Sequence, residues 1–322
     1  MATLYIIGNG FDIAHGLDTS YWNFRSYLEM RDYEFLLSFE KMYDIEPLDE
    51  TEYGYTIDAQ KKWEKHIKEI LWSEFERCMG NPNIQSMLDF SSSILDDLNL
   101  ETGNVGIFDT MNDYWRAEFG FVKKLQTYVR EWIAQIDLSN TLPKCEELFN
   151  NNKDFYLNYN YTRVLEDVYK IDDVLHIHGS IGDNFDMAPF MGHCNKEEID
   201  IHKQQYEEAY ESNCEGEASI RKAITEYLSE IYKDTSHYIS IHKDFFEKLV
   251  SINEIKIIGW SAGEVDIPYL NKIRDSIPKK TKWTVYYYDD KAYNNLQKAF
   301  KENNIIDNFE TEFLLSTSFW NV

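Results

Sequence analysis

The sequence predicts an α/β protein: a parallel sheet covered by helices and interrupted by two long helical insertions. Three features predict it. The chain opens on an apolar run that breaks into a glycine turn (LYIIGNG), four further short runs are rich in aromatic and β-branched residues, and long amphipathic stretches separate them.

The first strand spans residues 4–7 and stops at Gly8, Asn9, Gly10, Phe11 and Asp12. Many nucleotide-binding folds use such a strand-to-glycine turn to bring backbone N–H groups against a pyrophosphate. A tight turn with glycine at φ > 0 uses the same letters, so this stretch alone leaves both readings open. The further strands are 154–158 (DFYLN), 174–178 (VLHIH), 255–258 (IKII) and 283–288 (WTVYYY), each followed by polar or glycine punctuation. Two of them lead into helices, 162–169 and 291–301, and βα alternation implies a parallel sheet.

Helical patterns interrupt this alternation. Trp63, Ile67, Leu71, Phe75 and Cys78 recur at spacings of three and four, as do Phe121, Val122, Leu125, Val129, Trp132, Ile133 and Ile136. Residues 29–152 therefore read as one helical insertion and 193–249 as a second. Between Glu197 and Asp234 the second carries eleven acidic and four basic residues, the pattern of a solvated helix face. The core is left as 1–28, 153–192 and 250–322.

Composition narrows the function classes. The 322-residue chain is 43% hydrophobic and 16% aromatic, enough for a large core with no segment that reads as disordered. No apolar run spans a bilayer and no basic-then-apolar leader opens the chain, so a soluble cytoplasmic protein is expected. With 32 Lys+Arg against 57 Asp+Glu, the net charge of −25 repels phosphate backbones and anionic lipid. Neither nucleic acid nor membrane is an expected partner. Cys78, Cys145, Cys194 and Cys214 are widely spaced, giving neither a zinc ribbon nor a redox pair.

Three more stretches carry chemistry. In FYLNYNYTRVLEDVY, Asn160, Tyr161 and Thr162 follow a strand end, where open α/β sheets place ligand groups; helix capping suits Asn160 and Thr162 equally. In VLHIHGSIGDN, His176 and His178 would share one strand face. His178, next to Gly179 at the carboxyl end, reaches the crevice, and His176 sits deeper as a buried imidazole. No third ligand accompanies the pair, so no metal is expected. In IKIIGWSAGEVD, Gly259, Trp260 and Ser261 end a strand and offer a hydroxyl and N–H groups to ribose or phosphate. Gly259, Ser261 and Gly263 match a nucleophile elbow, but no histidine follows His242 to complete a triad.

These stretches, IIGNGFDIAHGL, NYTRVLEDVY, VLHIHGSI and IIGWSAGEVD, resemble the bacteriophage abortive-infection AbiH family in content and order, and that family is similar to a distant branch of the sirtuin-like NAD-binding fold. Sirtuin-like proteins carry a glycine-rich first turn, an Asn at a strand end, a His directly before Gly and a late strand ending in Gly-x-Ser. Gly8 with Gly10, Asn160, His178, and Gly259 with Ser261 match these in turn. The resemblance implies a Rossmann-like core, bacterial cytoplasmic location, and antiphage defence through cleavage of NAD or a related nucleotide at the nicotinamide–ribose bond. A nucleotide-sensing or protein-binding module with the same pocket is the rival. Asn160 and His178 are the implied catalytic pair. Gly8, Asn9, Gly10, Phe11, Asp12, Tyr161, Thr162, Gly259, Trp260 and Ser261 form the implied nucleotide contacts, with the first glycine turn on the pyrophosphate and Ser261 on the adenosine side. Asp12, ill suited to phosphate, is expected to hold a ribose hydroxyl or the loop. The four-cysteine zinc module of sirtuin deacylases is missing, which argues against protein deacylation. A phage-derived trigger or partner protein is the further partner implied, and self-association is compatible with the sequence.

Overall fold

A computed structural model describes residues 2–48, 56–89, 91–92, 94, 107–145, 153–182 and 187–320. Among these residues six strands form one sheet, β1 (Thr3–Ile7), β2 (Phe155–Asn158), β3 (Val174–His176), β4 (Glu254–Ile258), β5 (Lys282–Tyr287) and β6 (Thr311–Leu315). Their order is β3-β2-β1-β4-β5-β6 and every pairing is parallel. This is the doubly wound Rossmann order, whose direction reverses between β1 and β4. The α/β, Rossmann-like fold with helical insertions expected from the sequence is present.

The apolar runs explain the strands. All five β1 residues are buried, as a central parallel strand covered on both faces requires. Leu4 and Ile6 join Ile255, Ile257, Trp283, Tyr269 and Phe300 in one core cluster, whereas Tyr5 and Ile7 join Phe11, Tyr156, Ile258 and Phe319 in another. The alternation is the two-residue period of a strand with helices on each side.

Three elements of the sheet region differ from expectation. β3 stops at His176, not His178: the Gly179 amide bonds His176 O at 3.1 Å, turning the chain out of the sheet. The helix expected over 162–169 is reduced to Val164–Asp167, with Arg163 at its N-cap and no side-chain capping bond. The β6 strand was not expected. It is a half-exposed edge strand (TEFLL) lacking the apolar run that marks the central ones.

The chain divides into two compact units. The first comprises Met1–Asn23, Val129–Phe190 and Asp234–Val322 and holds the sheet. The second comprises Phe24–Tyr128 and Met191–Lys233, and its described elements are helical. Within it, the paired helices Lys196–Glu211 and Glu215–Glu230 carry the acidic faces expected of solvated helices. The 63–78 pattern is not one helix: Ile57–Ile67 passes into a π-helical turn at Lys68–Trp72 before Phe75–Met79. Buried Arg25 donates to Glu40 at 2.7 Å, and Trp72 Nε1 donates to the same carboxylate at 2.7 Å, so neither charge is left uncompensated.

Candidate functional site at the sheet switch point

The site is described wholly within the sheet unit. The Gly8 turn follows β1, Asn160 follows β2, His178 follows β3 and Gly259 follows β4, so all four matched stretches leave the carboxyl ends of adjacent strands. In open α/β sheets this edge, at the reversal of strand order, is where ligands bind.

The glycines are required by backbone packing. Gly8 N donates to Ile258 O at 2.9 Å and Gly10 N to Gly259 O at 2.8 Å, which seams the two turns together. A Cβ on Gly259 would lie 2.2 Å from Phe11 N, and one on Gly8 would lie 2.6 Å from Trp260 Cα. Gly259 also sits at φ +69°, in the left-handed region that disfavours a Cβ. The Gly8 and Gly10 amides, expected on the pyrophosphate, both already donate to carbonyls. Phe11 and Trp260, expected among the nucleotide contacts, are 0% and 5% exposed and lie in the core. Ala262, beside Ser261, has φ +58°, a strained conformation for alanine.

Asp12 is the hub of the first cluster. Although it lies in the short helix Asn9–Ala14, its side chain is buried and accepts from Asn160 Nδ2 at 2.8 Å and Thr162 Oγ1 at 2.5 Å. Asn160 Nδ2 also reaches Gly8 O at 3.2 Å. Asn160 and Thr162 therefore serve Asp12, not the following helix. Burial raises the Asp12 carboxyl from 3.8 to about 7, against the pull of the bonds from Thr162 and Asn160 and the charge of His176. Between these values the folded chain holds a proton that the unfolded chain has released. Stability from this group is greatest at low pH and is lost as pH rises through about 7. Asp12→Asn, which keeps an acceptor for Asn160 but cannot ionise, should gain on wild type by roughly 2 kcal/mol between pH 5 and 8 in urea unfolding.

His178 anchors the second cluster. Its Nε2 is 3.6 Å from Asp266 Oδ1, whose other oxygen accepts from Trp260 Nε1 at 2.8 Å. Tyr159, Tyr161 and Tyr269 surround the imidazole with ring centroids at 5.5, 6.5 and 5.4 Å. Tyr161 OH donates to Phe190 O at 3.1 Å, fixing a wall of this cluster. The Asp266 contact had no motif behind it, and its only sequence signal is an acid seven residues beyond Gly259.

The remaining residues divide simply. Asn9 is half-buried, its Nδ2 donating to Thr19 O at 2.8 Å, and Ser261 is exposed. His176 faces Asn160 O through Nδ1 at 2.9 Å and Glu166 Oε1 through Nε2 at 2.7 Å, a satisfied buried imidazole. His176→Ala should cost about 2–4 kcal/mol in chemical denaturation by stranding both acceptors, with activity per folded molecule retained.

No group of three His, Cys, Asp or Glu side chains among the described residues is arranged to hold a metal ion. No described helix is long and apolar enough to cross a membrane. Comparison with curated proteins and with solved structures returned no match. The family model for bacteriophage abortive infection AbiH matches residues 4–287. That match spans most of the 322 residues, and the chain belongs to the bacteriophage abortive infection AbiH family, which places it in phage defence.

Proposed function

We propose that this phage-defence protein binds NAD or a related dinucleotide at the carboxyl edge of its sheet and hydrolyses the nicotinamide–ribose bond, as a distant sirtuin-like enzyme. The observation that carries this reading is the emergence of Asn160, His178 and both glycine turns from adjacent strand ends at the switch point of a 3-2-1-4-5-6 sheet.

The chemistry assigns the residues. As the C1′–N bond breaks, its electron pair leaves with nicotinamide and an oxocarbenium-like sugar forms. Water adds to C1′ and gives up a proton, so NAD and water yield nicotinamide, ADP-ribose and a proton. His178 is the base that takes this proton, and Asp266 at 3.6 Å stabilises the resulting imidazolium. Asn160, held by Asp12, presents its amide to the ribose or the water. Exposed Ser261 and half-buried Asn9 supply polar contacts at the rim, so the phosphates are met there and not by the Gly8 and Gly10 amides.

One observation favours a binding module without turnover: His178 is only 3% exposed, beneath three tyrosines. For catalysis the Tyr161–Phe190 tie must loosen to admit water. The test is to incubate the purified full chain with NAD. Equimolar nicotinamide and ADP-ribose support hydrolysis, whereas saturable binding with no product supports the module.

A further inference from the structure

Outside the two buried clusters, but in the same unit, the chain after the helix Leu125–Ile133 and the segment 161–163 line an open cavity of about 440 Å³. That volume lies in the range of small-ligand sites. Its walls touch both clusters. Thr162 lines the cavity and donates to Asp12, while Tyr161 lines it and packs beside His178 with centroids 6.5 Å apart. A ligand here is therefore one side chain away from His178, through Tyr161, and one from Asp12, the carboxylate that holds Asn160, through Thr162.

The charges identify which end of a dinucleotide fits. Arg163 on the wall faces Glu166 and Asp167 at 3.9 Å each, so its charge is already matched by carboxylates. Asp137 at the rim accepts from Ser139 N at 2.8 Å and Ser139 Oγ at 2.9 Å, bonds that hold its carboxyl below the ordinary range and keep it ionised. A phosphate would meet a net negative wall. A pyridinium cation would meet an anion and the Tyr161 ring. Ile136 and Ile181 add apolar surface for a planar ring.

We infer that this cavity seats the cationic nicotinamide riboside end of the substrate. The inference rests on the dinucleotide reading above and adds where its reacting half lies. The anionic remainder then runs outward, away from Asp137.

Ala134 lines the cavity with an exposed side chain, so Ala134→Trp narrows the space without entering the core. Nicotinamide riboside and ADP-ribose are titrated separately by calorimetry into the full chain, Ala134→Trp and Asp137→Asn, with melting temperatures recorded as a fold control. The expected result is binding of nicotinamide riboside that weakens at least tenfold in Ala134→Trp and about two- to fivefold in Asp137→Asn, with ADP-ribose affinity changed less than twofold. Asp137→Asn keeps the test available if the tryptophan disturbs folding. Absence of nicotinamide riboside binding, unchanged binding in both variants, or parallel loss of ADP-ribose overturns the inference. NAD turnover is followed in the same samples. If wild type binds nicotinamide riboside in this pattern but releases no product, the hydrolysis reading fails while the cavity assignment stands.

Discussion

Replacing His178 with alanine should lower NAD cleavage by on the order of a hundred- to ten-thousand-fold, the usual cost of losing a general base. The side chain does not stand free at a strand end. It is buried among Tyr159, Tyr161 and Tyr269, so truncation also costs stability, on the order of 1–3 kcal/mol. His178→Gln separates the two effects, because it restores much of the volume but cannot accept the proton as imidazole does. Both variants should retain native circular dichroism and lose turnover, with nucleotide affinity within a few-fold of wild type. Cleavage at the wild-type rate by folded His178→Gln would leave the histidine as a packing residue and favour the binding-module reading.

The largest stability effect should come from Gly259→Ala. The new Cβ would lie 2.2 Å from Phe11 N and 2.6 Å from Gly10 C, both backbone atoms of a turn locked by the Gly10–Gly259 hydrogen bond. At φ +69° the alanine is also conformationally strained. Two other glycines divide these costs. Gly16 has φ +81° with nothing within 4 Å of a Cβ, so Gly16→Ala reports strain alone and should cost about 1 kcal/mol. At Gly263 the nearest atom is Asp266 Oδ2 at 3.6 Å, ordinary contact, so Gly263→Ala should be within about 0.5 kcal/mol of wild type. Gly259→Ala combines strain with a clash that no side chain can relieve and should lose more than about 3 kcal/mol, or fail to fold. Urea midpoints for the three variants check the order. A Gly259→Ala midpoint matching that of Gly263→Ala would mean that the two turns do not pack as closely as described.

Much of the fold was legible because burial on both faces forces continuous apolar runs into central strands, as in LYII and IKII. The edge strand β6 needs no such run, and TEFLL, with Glu312 and a half-exposed pattern, gave no comparable signal. The site was legible as positions more than as roles. Asn and Thr before a helix carry the same letters whether they cap it or reach a distant carboxylate, and only the fold shows that Asn160 and Thr162 reach Asp12, about 150 positions earlier. The glycines were read as an anion cradle, yet the demand that fixes them is backbone approach between β1 and β4 turns, a contact across some 250 residues. Phe11 and Trp260 follow from that seam: where two turns press together, the adjoining aromatics are driven into the core on either side of the sheet. The two histidines do not share a strand face as their spacing suggested: His176 is satisfied in the strand, whereas His178 is buried in the turn beyond it, next to an aspartate that no local pattern announced.

The claim that the switch-point edge is the nucleotide site is tested most directly by a crystal structure of the full chain with ADP-ribose. The account predicts ligand density at the carboxyl ends of β1, β2 and β4, with the ribose within hydrogen-bond reach of Asn160 or Ser261 and the phosphates clear of the Gly8 and Gly10 amides. Density at the amino-terminal edge of the sheet, or on the helical unit alone, would contradict it.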